Sequence, residues 1–129
     1  MAAAPRGLRA WESINLRVAP GRILIPDLTV LADPDMLAPV QPASAARLVV
    51  EITSPGNAFV DRGMKPQLYA QARIPHYLRI ELDGSAPAAL LYTLDGDVYA
   101  ETARVTPGEV TRLVEPFPVD LDLSALAAS

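Results

Sequence analysis

Residues 47–77 read RLVVEITSPGNAFVDRGMKPQLYAQARIPHY, and the fold turns on how this stretch divides. Leu48-Val49-Val50-Glu51-Ile52 is an apolar run with one acid inside it. Alternation puts Leu48, Val50 and Ile52 on one face and Arg47, Val49, Glu51 and Thr53 on the other. Residues 47–53 are therefore expected as a strand, like 23–31, whose two faces are both largely apolar, as in a strand covered on both sides. Ser54-Pro55-Gly56-Asn57 breaks the run, so 54–60 is expected as loop. Met64, Leu68 and Ala72 then recur at i, i+4 and i+8 with Tyr69 beside them, which predicts a helix over 63–73. Pro66 fits that helix only in its first turn, where a missing N–H costs nothing. Ile74-Pro75 ends the helix, and 77–82 is expected as a strand turning at Asp83-Gly84.

Upstream, ILIPDLTVL at 23–31 has the same oddity, an apolar run with an acid in it, Asp27. Ile23, Ile25, Asp27, Thr29 and Leu31 share one face of the expected strand. Pro26 cannot donate to a ladder, so the strand should have an edge or an irregularity there. Ile14, Leu16 and Val18 alternate in a further strand over 11–18, and Pro20-Gly21 is a turn. Residues 1–10 are expected as a disordered segment and 11–129 as one domain. Residues 32–46 read as loop with room for a helical turn. Downstream, 90–94 and 98–102 flank Asp95-Gly96 as a hairpin. A strand over 111–115 and a short terminal turn or helix over 121–126 complete the order β-β-β-α-β-β-β-β. This is an α+β, or mixed α/β, domain with a central mixed β-sheet and a flanking helix.

Composition narrows the chemistry. Half of the 129 residues are apolar and a fifth charged, as in globular domains. With no cysteine there is no thiolate metal site or disulfide framework, which fits a reducing, cytoplasmic compartment. The single histidine excludes any site that needs two. The start, MAAAPRGLRA, lacks the apolar core of a secretion signal, and no run approaches a membrane span. A net charge of −4 argues mildly against non-specific coating of nucleic acid and does not exclude a metal-dependent site, where carboxylates gather.

Asp27 and Glu51 are the acids to explain. A carboxylate in a doubly covered strand is costly unless it is paired, protonated or bound to a metal. Two of them on neighbouring strands demand a cation. Asp27, Glu51 and the backbone carbonyl of Ile52 would give the oxygen ligands that Mg²⁺ or Mn²⁺ prefers. Such an ion acidifies a bound water and offsets charge on a phosphate oxygen. Lys65 could orient that water or add positive charge. Each residue also has a plain structural reading. Asp27 could accept turn hydrogen bonds, Glu51 could pair with Arg47, and Lys65 could be solvated. Asp61 could pair with Lys65 at i, i+4 or cap the helix. His76 reads as structural. Arg62, Lys65, Arg73 and Arg79 make at most a modest basic rim. Ser54 lacks a nucleophile elbow, and 54–57 lacks the lysine of a phosphate-binding loop.

Taken together, Pro26-Asp27, LVVEITSP at 48–55, DRGMKPQLYA at 61–70 and IPHYLRIELDG at 74–84 resemble the Uma-type restriction endonuclease family of the PD-(D/E)XK nuclease superfamily. The resemblance covers 23–84 well and the remainder loosely. It implies a restriction-endonuclease-like core that cleaves phosphodiester bonds of nucleic acid, DNA first, with Mg²⁺. Asp27 matches the acid of the PD element and Glu51 the acid of the second strand. Many nucleases carry a lysine two residues after that acid; Thr53 stands there, and Lys65 matches the helix lysine of the Uma-type pattern. Relative to that pattern the chain is N-terminally shortened, without the early helices and the strand bearing a further glutamate. Arg73 stands in the region of a family glycine after the helix, so the helix end is expected to differ. His76-Tyr77-Leu78 stands where the family has Glu-Tyr-Trp. Pro66 pushes Lys65 away from helical angles. A missing layer should leave one sheet face bare and covered by a second copy, a homodimer. Two functions follow: a metal-dependent endonuclease, or a truncated, catalytically silent nuclease-fold module that binds nucleic acid or protein.

Overall fold

Parallel neighbours in a sheet need a crossover that covers one face, and the one helix among the described residues is that crossover. The computed structural model describes residues 8–35, 37–53, 63–82, 87–106, 110–113 and 119–122. In chain order the elements are β1 (Leu8–Glu12), β2 (Leu16–Ala19), β3 (Arg22–Leu24), β4 (Leu28–Ala32), β5 (Gln41–Pro42), a 3₁₀ turn (Ala43–Ala45), β6 (Ala46–Thr53), α1 (Lys65–Gln71), β7 (His76–Glu81), β8 (Ala88–Asp95), β9 (Val98–Val105), β10 (Val110–Leu113) and β11 (Val119–Asp122). Six strands form the main sheet in the order β1-β4-β6-β7-β8-β9. Only β6 and β7 within it are parallel, joined through α1. A small sheet, β3-β2-β5, and the hairpin β10-β11 stand outside it.

Alternation along β6 builds the two sides as far as Val50, while Ile52, expected on the face of Leu48 and Val50, is 45% exposed. Leu48 and Val50 join Val30, Leu78, Ala89, Leu91 and Val105 on one face of the sheet. Val49 packs on the other face with Leu16, Leu31, Ile74, Tyr77 and Tyr69 of α1. Each such side chain stabilises the fold by about 1.5–3 kcal/mol when fully buried. The face expected to be bare is not bare. Val30, Leu48 and Ala89 are at most 1% exposed in the single chain, so the reason given for a homodimer falls away.

Several boundaries move. Leu8–Ala10, expected to be frayed, pair with Val30–Ala32 in an antiparallel ladder; residues 1–7 lie outside the described residues. The single strand over 11–18 is two, broken where Ser13 takes φ 50°. The strand over 23–31 is also two pieces, because Pro26 has no N–H to carry a ladder through. Asp120, Leu121 and Asp122 belong to a strand paired with β10, not to a terminal helix, and 123–126 lie outside the described residues. So do the loop over 54–60, Asp61, Arg62 and the turn at 83–84.

The helix begins at Lys65 with Pro66 in its first turn, the place where proline is tolerated. Its end does not differ from a glycine-type end. Arg73 takes φ 64°, Arg73 N–H bonds the Ala70 carbonyl, and Ile74 N–H bonds the Tyr69 carbonyl. That is the Schellman pattern normally built with glycine. It turns the chain sharply so that buried Ile74 packs with Tyr69 and the next strand starts parallel to β6.

Candidate functional site

Register brings the acids together. β4 and β6 pair with Leu28 opposite Val50, and one further step sets Asp27 opposite Glu51. β6 and β7 pair with Glu51 opposite Arg79. Asp27, Glu51 and Arg79 thus form a row across three strands, at the carboxyl ends of the parallel pair. Crevices at such strand ends are where open sheets with parallel strands bind ligands.

Each member is held by a different device. The β4–β6 ladder stops at Leu28, so the Ile52 N–H needs an acceptor from elsewhere. It donates to Asp27 Oδ2 at 2.6 Å, a short charge-assisted bond that fixes an otherwise exposed carboxylate. Glu51 is 2% exposed. A charge so deeply buried requires compensation. The Tyr69 hydroxyl donates to Glu51 Oε2 at 2.6 Å, and Lys65 Nζ lies 3.3 Å from the same oxygen. Lys65 and Tyr69 are i and i+4 on α1, so one helical face delivers both. Arg79 Nη2 donates to the Tyr92 hydroxyl at 2.7 Å, with its guanidinium carbon 5.2 Å from the centre of the Tyr92 ring. Its Nε lies 3.5 Å from Glu81 Oε2.

Asp27, Glu51 and Lys65 therefore converge, and two of the plain alternatives do not hold. Arg47 donates to the Ser44 carbonyl and is not the partner of Glu51, and Lys65 is ion-paired. The plain reading of Asp27 as a hydrogen-bond acceptor for backbone is met by the Ile52 N–H. Of the expected basic rim, Lys65 and Arg79 flank Glu51, Arg73 stands apart, and Arg62 lies outside the described residues. Arg73, at the far end of α1, bonds the Gly96 carbonyl and pairs with Asp97. His76 is buried with Nδ1 3.2 Å from Thr93 Oγ1, inside the β7–β8 pairing. Sequence reasoning missed the part played by Tyr69, visible as i+4 from Lys65 but read only as apolar packing. Arg79 was named only as one cation of a basic rim; its place beside Glu51 depends on the register of two strands separated by the helix.

The donors present are oxygens: two carboxylates and the Ile52 carbonyl. That set fits a hard divalent cation such as Mg²⁺ or Mn²⁺ and not a soft one. No group of three or more His, Cys, Asp or Glu gathers among the described residues, so backbone and water would complete any such shell.

With this geometry in view, comparison with known proteins gives a consistent result. The profile of the Uma2 family, described as "Putative restriction endonuclease", matches residues 2–126. The chain belongs to the Uma2 family. Among solved structures, the Uma2 chain is similar to a "putative nuclease belonging to DUF820" from Anabaena variabilis, with a TM-score of 0.66 and 16% sequence identity. The likeness covers 95% of this chain and 69% of that one. At that identity it establishes a shared fold, a mixed β-sheet with a crossover helix in the α+β class. No functionally curated protein matches the Uma2 chain.

Proposed function

We propose that this Uma2 protein is a metal-dependent nuclease that hydrolyses phosphodiester bonds of nucleic acid, DNA first. Asp27, Glu51 and the Ile52 carbonyl are the residues that would hold Mg²⁺ or Mn²⁺. When bound, the ion would supply an acidified water and offset charge on the scissile phosphate. The observation that carries the reading is the 3.3 Å approach of Lys65 Nζ to Glu51 Oε2, at the strand end that also carries Asp27. Three residues from separate segments meet there, and a cation beside two acids is what phosphoryl chemistry needs. In this reading Lys65 holds the attacking water and adds positive charge, while Tyr69 fixes the Glu51 carboxylate in one orientation. The proposal treats residues 11–129 as one domain, with β1 extending it to Leu8, in a cytoplasmic setting.

The test is cleavage of plasmid and single-stranded DNA with Mg²⁺ or Mn²⁺. Wild type should cleave, Glu51→Gln should be inactive, and Lys65→Ala should be slowed by about 10²-fold or more while still binding Mn²⁺. A Glu51→Gln protein that cleaves as fast as wild type would defeat the proposal. A second reading, the catalytically silent module, has one observation in its favour: both carboxylates already have protein partners. It predicts salt-sensitive binding of DNA, or capture of a partner chain, with no metal-dependent turnover.

A further inference from the structure

All four tyrosines of the chain lie on one side of the sheet, and beside them is a cavity next to the two acids but not lined by them. Tyr77 is the hub, with ring centres 5.8 Å from Tyr69, 5.7 Å from Tyr92 and 5.8 Å from Tyr99. The cavity has a volume of about 450 Å³, within the range of roughly 300–1,000 Å³ usual for small-ligand sites. Its floor is the half-buried Tyr92, with its register partner Tyr77, 1% exposed, beneath it. One wall is the outer face of α1, with Gln67 and Gln71 four residues apart. Another wall is the β8–β9 turn and the start of β9, with Asp97 and Tyr99. Tyr99 is fixed by donating its hydroxyl to the Ile74 carbonyl at 2.7 Å.

Two residues join this cavity to the acid row. Arg79 lines it and is the register partner of Glu51. Pro66 lines it and follows Lys65, which pairs with Glu51. The cavity and the acid site are therefore adjacent.

We propose that this cavity receives an unpaired base of single-stranded nucleic acid whose backbone runs past Asp27 and Glu51. The inference rests on the nuclease reading for the substrate class. The chemistry of the walls selects the occupant. Aromatic rings and a guanidinium plane are the surfaces on which unstacked bases pack. The amides of Gln67 and Gln71 and the carboxylate of Asp97 supply donors and acceptors for base edges, and Arg79 supplies the one cation for a phosphate. A base inside a duplex is already stacked and cannot enter a walled cleft without being extruded. A net charge of −4 also disfavours a long duplex, which needs an extended basic face. Recognition through one walled base site suits a single strand.

The test is fluorescence anisotropy of a short labelled oligodeoxynucleotide, single-stranded or annealed to its complement, in EDTA so that nothing is cut. The single strand should bind at least about tenfold more tightly than the duplex. Gln67→Trp and Gln71→Trp, at exposed helix positions that line the cavity, should each weaken single-strand binding by about tenfold. Both should keep the wild-type urea midpoint and Mn²⁺ binding. Equal affinity for duplex, no binding of the single strand, or wild-type affinity in both folded tryptophan variants would overturn the inference. The nuclease reading fails separately. Single-strand binding that is lost in the tryptophan variants, without any metal-dependent cleavage, upholds the cleft and removes the nuclease. Metal-dependent cleavage of duplex at full rate in the tryptophan variants does the reverse.

Discussion

The Asp27 carboxylate accepts the Ile52 N–H at 2.6 Å, so this residue has a structural duty beside any metal-binding one. The two separate by choice of substitution. Asparagine keeps an oxygen for the N–H but removes the charge, whereas alanine removes both. Asp27→Asn should lose only the charge-assisted part of that bond, and Asp27→Ala should be the less stable of the two, by about 1.5–3 kcal/mol relative to wild type, the worth of a hydrogen bond to a charged group. Equal midpoints for the two variants would show that the bond is not formed in solution. At this scale the sequence was informative about the charged residues and silent about their holders. Asp27 and Glu51 stood out because acids interrupt apolar runs, and Lys65 by its resemblance to a family lysine. Tyr69 and Arg79 carry no such mark, since a tyrosine on an apolar helix face and an arginine in a strand are ordinary until the register is known.

At the scale of elements, α1 depends on how it stops. Arg73 takes φ 64°, a conformation that costs a non-glycine residue roughly 1 kcal/mol or more. Its ion pair with Asp97 is well exposed and contributes little. Arg73→Gly should therefore raise stability by up to about 1 kcal/mol, read as a higher urea midpoint; a clear loss would mean that the Arg73 contacts to the β8–β9 turn matter more than the backbone. On β9, burial pushes the Tyr99 hydroxyl above its ordinary 10.0. In the unfolded chain that proton leaves near pH 10, while in the fold it stays. The unfolded state therefore binds fewer protons above pH 10, and stability should fall as pH rises through that region. Tyr99→Phe should flatten this fall, measured as the urea midpoint between pH 9 and 11, whereas an unchanged slope would assign the fall to other groups. The strands and the helix were legible from period and breakers. Their interruptions were only partly so. Pro26 announced an irregularity, but nothing in Glu12-Ser13-Ile14 announces the left-handed Ser13 that splits one expected strand into β1 and β2.

For the whole molecule, the sequence pattern carried the α+β class and the mixed sheet, but not what covers its second face. The pattern led to the expectation of a bare apolar surface on one face, yet Val30, Leu48, Leu91 and Val105 are buried within one chain. Burial on a sheet face depends on chain distant in sequence, which periodicity within a strand cannot report. Leu48→Ala should cost about 2–5 kcal/mol, as cavities in packed cores do, and the loss should not vary with protein concentration. Stability of the wild type that rises with concentration would instead show that a second copy covers this face. Among the described residues no helix is long and apolar enough to cross a membrane.

The central claim is that Asp27 and Glu51 form a divalent-metal site at the strand end beneath α1. Calorimetric titration of Mn²⁺ into wild type and into Asp27→Asn tests it most directly, because it requires no substrate and the variant keeps the bond to Ile52. Wild type should bind, and the folded variant should lose at least about tenfold in affinity, as expected when one of two carboxylate ligands is neutralised. Equal affinity in the two proteins would contradict the account.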